Sequence, residues 1–128
     1  MQYFFIFLGG GLGSTCRYLI SSILVQGSGL AFPFGTLIVN LLGSFFMGFF
    51  FHIFQSNIVP LEIRIMVTIG FLGGFTTFSS FSIETLNLLR NGEYKYFIIN
   101  LILNNVTCLL SATLGIYLGN MFVKLSGQ

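Results

Sequence analysis

Four long apolar stretches follow one another along this chain, each closed by polar or turn-forming residues. They cover about residues 3–25, 35–54, 61–90 and 96–122. A loop at about 26–33 follows the first. Ser56, Asn57 and Pro60 end the second, and Asn91-Gly92 is a turn signal after the third. A helix needs about 20 apolar residues to cross a bilayer. Each stretch therefore predicts one transmembrane helix, and the chain has room for four spans and little else.

The polar positions inside these spans are patterned. In span four, Asn100, Asn104, Thr107 and Ser111 fall on one helical stripe. Thr36, Asn40 and Gly43 do the same in span two. Thr76, Ser80 and Glu84 stand one turn apart in span three. Polar side chains in a span face a bundle interior or a water-filled cavity. Three stripes on three helices imply a polar pathway, although each hydroxyl alone also suits a contact between helices. Small residues are patterned too. Gly9 and Gly13 in span one, and Ser111, Gly115 and Gly119 in span four, keep the spacing of four that lets helices approach closely.

Span three departs most from a plain lipid-facing helix. It contains Gly70-Phe71-Leu72-Gly73-Gly74-Phe75-Thr76-Thr77-Phe78-Ser79-Ser80-Phe81-Ser82. Paired glycines loosen the helix, and Thr and Ser bring hydroxyls to membrane depth. Non-helical backbone survives there only where it is buried in protein or lines a cavity. The sequence therefore predicts a broken third helix and an ion site lined by aromatic rings and hydroxyls.

Composition excludes other classes. Of 128 residues, 55% are hydrophobic and only 6% are charged, where a soluble domain carries about a quarter. The mean hydropathy is +0.94. A net charge of +2 is too small to suggest a nucleic-acid partner. The N-terminus lacks the basic region of a signal peptide, so the first span is read as retained. Cys16 and Cys108 both lie within spans, where a free thiol behaves as a small hydrophobe. No metal-ligand spacing links them to the lone His52. No nucleophile–base spacing suggests an enzyme.

Charge also bears on topology. Arg64 and Lys124 belong to the side of the N-terminus, and Arg90 and Lys95 to the other. Arg17 lies within span one, nearer the second side, which it can reach by snorkelling. The Lys/Arg asymmetry that sets orientation is therefore close to nil. A chain without that bias can insert both ways, which permits an antiparallel homodimer. Four helices are also too few to enclose a polar path and keep it off lipid, so oligomerisation is expected. Glu62, Arg64, Glu93 and Lys95 are expected at the interfaces as solvated charges.

The residues resemble the small fluoride-channel family (Fluc, also called CrcB). Gly9-Gly10-Gly11-Leu12-Gly13-Ser14-Thr15-Cys16-Arg17-Tyr18 is similar to that family's GGxxGxxxRY stretch. Gly35-Thr36-Leu37-Ile38-Val39-Asn40-Leu41-Leu42-Gly43 is similar to its GTLxVNxxG helix. The run from Gly73 to Ser82 is similar to its broken third helix. The last two together are specific, and the likeness covers the whole four-span layout. Ser80 stands where Thr is frequent, and span four matches less clearly.

The resemblance implies an all-α membrane protein of four transmembrane helices per subunit, assembled as a dual-topology homodimer with two antiparallel pores. It implies passive fluoride export across a bacterial inner membrane. Phe78 and Phe81 match the phenylalanines that face the ion, and Asn40 the pore asparagine. Ser79, Ser80 and Thr36 match positions near the polar track. Asn104, Thr107 and Ser111 join it on the stripe argument. The backbone carbonyls of Gly73 and Thr76 match the ligands of a structural sodium ion, two from each subunit. Arg17 matches the span-one arginine. From their positions in the spans, Arg17 and Glu84 are expected at a vestibule, with pairing to a carbonyl open for Arg17 and a proton-coupling role the alternative for Glu84.

The chemistry agrees. Fluoride is small and strongly hydrated, so a pore must replace its water yet let it leave. Asn amides and Ser or Thr hydroxyls offer donors without fixed charge. Aromatic rings offer a positive edge. No Lys or Arg lies near the centre of span three to trap the anion. The main rival is a small proton-coupled multidrug exporter of dual topology, which needs a membrane carboxylate, typically in span one. Span one has no Asp or Glu. A structural subunit without transport would need the glycines but not the polar stripes.

Overall fold

The computed structural model describes residues 1–28, 32–55 and 59–126, and these form helices and short connections. Helix α1 covers Gln2–Ser28 and α2 covers Phe34–Ile53. The third apolar stretch is composite. Helix α3 (Leu61–Ile65) starts after Pro60, with Glu62 in its first turn, where a carboxylate suits the positive helix end. The backbone then widens into a π-helix over Met66–Leu72 and tightens again in α4 (Gly73–Phe75). Thr76 (φ −74°, ψ 154°) and Thr77 (φ −150°, ψ 108°) are extended. The chain resumes as α5 (Phe78–Arg90), and α6 (Tyr94–Leu125) is last. Gly92, at φ 78°, turns the chain between α5 and α6 in a conformation that suits glycine.

Among the described residues, four helical stretches are long and apolar enough to cross a membrane: Gln2–Leu24, Phe34–Phe51, the composite Leu61–Arg90 and Tyr94–Leu125. Helix α6, at 32 residues, is about 48 Å long by its rise per residue, more than a hydrocarbon core requires.

Helices α2 and α6 pack along their lengths, and α1 lies against the π-helical stretch and α4. Both contacts run through the small-residue faces expected from the sequence. Gly115 of α6 sits on the Phe45 carbonyl of α2, and Gly13 of α1 on the Phe71 carbonyl. A side chain at either position would overlap backbone that cannot step aside.

Burial is inverted relative to a soluble domain. Thr36, Asn40, Thr77, Thr85, Asn100 and Asn104 are buried, while most large apolar side chains face outward. Lipid is as apolar as leucine, so the groups that gain most from the interior are those needing hydrogen-bond partners.

One expected surface charge is not at the surface. Arg64 is half-buried and donates from Nη1 to the Phe54 carbonyl at 2.6 Å. Carbonyls at a helix C-terminus lack partners within the helix, and this guanidinium meets the one just past the end of α2. Ser56 and Asn57, expected to end the second span, lie outside the described residues.

Candidate functional site

The interruption at Thr76–Thr77 is built by side chains that replace helical hydrogen bonds. In a continued α-helix the Thr77 N–H would bond the Gly73 carbonyl. Here it donates to Asn40 Oδ1 of α2 at 2.7 Å. Asn40 Nδ2 returns a bond to the Thr77 carbonyl at 3.1 Å, so one amide side chain meets both polar groups of one residue, as a neighbouring strand would. Thr77 also caps α5. Its Oγ1 accepts from the Ser80 N–H at 3.2 Å and lies 3.0 Å from Ser80 Oγ and 3.2 Å from Ser79 Oγ. This satisfies one of the orphan donors at a helix start.

From Asn40 the network crosses to α6. Its Nδ2 also donates to Asn104 Oδ1 at 3.2 Å, and the Cys108 thiol lies 3.7 Å from the same oxygen. Asn104 Nδ2 is buried and has no partner among the described residues. One turn earlier on α6, Asn100 is fully buried and donates to Thr85 Oγ1 of α5 at 2.8 Å. Thr85 donates in turn to the Phe81 carbonyl at 2.6 Å.

Beside this network lies an open cleft of about 390 Å³. Its wall includes Asn40, Thr76, Thr77, Phe78, Phe81, Asn104 and Cys108, and none of its lining residues is charged. The Phe78 and Phe81 ring centroids are 5.3 Å apart and tilted by 51°. Phe81 is 5% exposed and Phe78 is 75% exposed, so Phe78 projects out of the fold.

Five sequence-selected residues thus share one cleft: Asn40, Thr76, Phe78, Phe81 and Asn104. The others lie around it. Ser79 is exposed, and Ser80 is half-buried against Thr77. Thr107 Oγ1 donates to Leu103 of its own helix at 2.6 Å, and Ser111 Oγ to the Leu41 carbonyl at 2.9 Å. Ser111 thereby joins α6 to α2. Thr36 donates to Glu84 Oε1 at 2.8 Å, and Glu84 borders a second cleft of about 290 Å³ with Asn87, Asn91 and Glu93. Gly73 is exposed at the start of α4.

Arg17 changes the picture drawn from span three alone. Packing of α1 on α4 brings this half-buried guanidinium to the Thr76 carbonyl, 3.5 Å away, so a cation does stand near the interruption. It is not part of the cleft wall. Thr77 and Thr85 were not singled out in the sequence. The spacing of Thr77 and Ser80 before a helix is a capping signal and marks the first. Nothing local marks Thr85, whose partner is on another helix.

The chain is similar to known proteins along most of its length. The family model described as CrcB-like protein, Camphor Resistance (CrcB), matches residues 4–116. A protein of Magnetococcus marinus named fluoride-specific ion channel FluC is 44% identical over 122 residues, covering 94% of this chain and 99% of its own length. Proteins of the same name are similar in two Shewanella organisms. That of Shewanella sp. (strain W3-18-1) is 46% identical over 108 residues, covering 84% of this chain and 87% of its own length. That of Shewanella denitrificans is 47% identical over 111 residues, covering 87% and 90%.

Proposed function

This chain belongs to the CrcB-like family, and on that premise we propose that it is a fluoride channel through which the ion leaves the cell passively, relieving fluoride toxicity. It is a multi-pass inner-membrane protein and not an enzyme. The observation that carries the reading is the cleft at the interrupted third span. Uncharged donors and the Phe78 and Phe81 rings meet there without a charged lining residue. Such a lining exchanges water for N–H, O–H and ring edges, and none of these holds an anion tightly. Thr36, Ser79, Ser80, Thr107 and Ser111 extend a polar track from it. Arg17 and Glu84 flank that track.

The working unit in this reading is an antiparallel homodimer in lipid. Phe78 is largely exposed and the cleft is open, so a second copy is needed to close it. The balanced Lys and Arg flanks permit opposite orientations. Each copy supplies one cleft, which gives two pores. The broken helix also suits the central sodium ion. The Gly73 carbonyl has lost its α-helical donor to Asn40, and the Thr76 carbonyl, on extended backbone, has only the long 3.5 Å contact from Arg17, so both carbonyls are candidates to hold the ion. When bound, the sodium supplies a positive charge that ties the two copies together and favours anions nearby.

The test is efflux from liposomes carrying the purified chain, fluoride against chloride, read with ion-selective electrodes. Rapid fluoride loss with little chloride loss is expected. Folded protein that releases no fluoride would overturn the reading.

A further inference from the structure

We infer that Arg17 competes with the sodium ion for the Thr76 carbonyl, so that a side chain of α1 sets how much sodium the interrupted helix needs. This rests on the fluoride-channel reading and the sodium ion within it.

The interruption diverts two helical donors. In an unbroken α-helix the Gly73 and Thr76 carbonyls would accept from the N–H groups of Thr77 and Ser80. The Thr77 N–H goes to Asn40 Oδ1 at 2.7 Å and the Ser80 N–H to Thr77 Oγ1 at 3.2 Å. Lipid cannot replace them. Helix α1 supplies donors instead. Ser14 Oγ meets the Gly74 carbonyl at 3.4 Å, and Arg17 Nη1 meets the Thr76 carbonyl at 3.5 Å. Ser14 and Arg17 stand three residues apart on one face of α1. That face is held in place, because Gly13 sits on the Phe71 carbonyl and Gly74 on the Gly10 carbonyl. Arg17 is thus rooted beside the interruption, and only its side chain can swing away.

The two donors differ in charge. Ser14 is neutral, whereas a guanidinium stays protonated. Helix α1 carries no Asp or Glu to offset it. A carbonyl oxygen has two lone pairs and so has room for two donors. Two positive charges on one oxygen repel, and a half-buried guanidinium is screened less than one in bulk water. The contact lies at the long end of the hydrogen-bond range, so it is readily given up. Arg17 therefore covers the Thr76 carbonyl in a lone copy and withdraws when sodium takes that oxygen. The coupling is reciprocal: Arg17 weakens sodium by the factor by which sodium loosens Arg17.

Two measurements test this in the full chain. Melting curves at constant ionic strength, with sodium exchanged for N-methylglucamine, give the sodium concentration at half of the full stabilisation. Arg17→Met keeps an apolar stem and removes charge and donor. It is expected to need about 2- to 12-fold less sodium, the net worth of one hydrogen bond. An unchanged requirement overturns the inference, and so does a higher one, which would mean that Arg17 supports the ion. Arg17→Lys keeps the charge and should stay near the wild-type value; a drop as large as that of Arg17→Met overturns the competition of charges. Guanidinium ¹⁵N spectra of the wild-type chain then read the contact directly. Added sodium should shift the Arg17 signal more than that of Arg90, which lies at the far end of α5. No shift at Arg17 at saturating sodium overturns the inference even where Arg17→Met fails to fold. If sodium moves neither the wild-type melting curve nor the Arg17 signal, the sodium site fails and this inference with it. If the wild-type chain responds and Arg17→Met responds at the same concentration, only this inference fails. Liposome efflux of the wild-type chain judges the channel reading separately.

Discussion

Gly11 and Gly13 stand two residues apart in α1, and the structure assigns opposite fates to the same substitution. A Cβ at Gly11 meets nothing within 4 Å. At Gly13 it overlaps the Phe71 carbonyl oxygen, and it comes within 2.9 Å of the carbonyl carbon and 3.0 Å of the Phe75 nitrogen. The carbon contact alone is about 0.6 Å short of a normal separation of ~3.5 Å. Those atoms are backbone of the π-helical stretch and α4, so relief means moving α1 away from span three. Replacing Gly by Ala also changes helix propensity, by about 0.8–1.0 kcal/mol. Because both sites lie in one helix, that contribution cancels in the difference. What remains is overpacking, about 1–3 kcal/mol. Gly13→Ala should therefore be less stable than Gly11→Ala by that amount. Reversible unfolding in mixed detergent and SDS micelles, followed by circular dichroism, measures it. A difference below about 0.5 kcal/mol would refute the claim that this glycine sets the distance between the two segments.

Three further outcomes are expected. Phe78→Ile and Phe81→Ile, made separately, should each lower fluoride efflux about 2- to 12-fold, the worth of one ring contact, and unimpaired flux in both would sink their assignment to the pore. Thr85→Val removes the hydroxyl that Asn100 Nδ2 meets and should cost about 1–3 kcal/mol, whereas adding Asn100→Leu should recover much of that because no unpaired amide is left; unfolding midpoints of the two variants decide it. Exchanging sodium for N-methylglucamine should lower the thermal midpoint and weaken self-association, and an identical melting curve in both buffers would argue against an ion on the Gly73 and Thr76 carbonyls.

The four spans, the small-residue faces and the Gly-, Thr- and Ser-rich stretch of span three were legible in the order of residues. Each depends on local rules: length of apolar run, spacing of four, and glycine beside Thr and Ser. Which polar residues meet was not local. Thr77 and Asn40 stand in different spans, and only the docking of α2 on α6 and on the third span brings Asn40, Thr77 and Asn104 into one chain of hydrogen bonds. The same holds for Arg17 at the Thr76 carbonyl and Arg64 at Phe54. The stripe of span four shows the division most clearly. Periodicity put Asn100, Asn104, Thr107 and Ser111 on one face, yet packing gives each a different task. Asn100 holds α5, Ser111 holds α2, and Thr107 bonds its own helix, while Asn104 keeps a free donor. Sequence alone determined which side chains could donate or accept at membrane depth. Tertiary structure decided which of those capacities are spent and which remains open, because a hydrogen bond is directional and its partner sits on another helix.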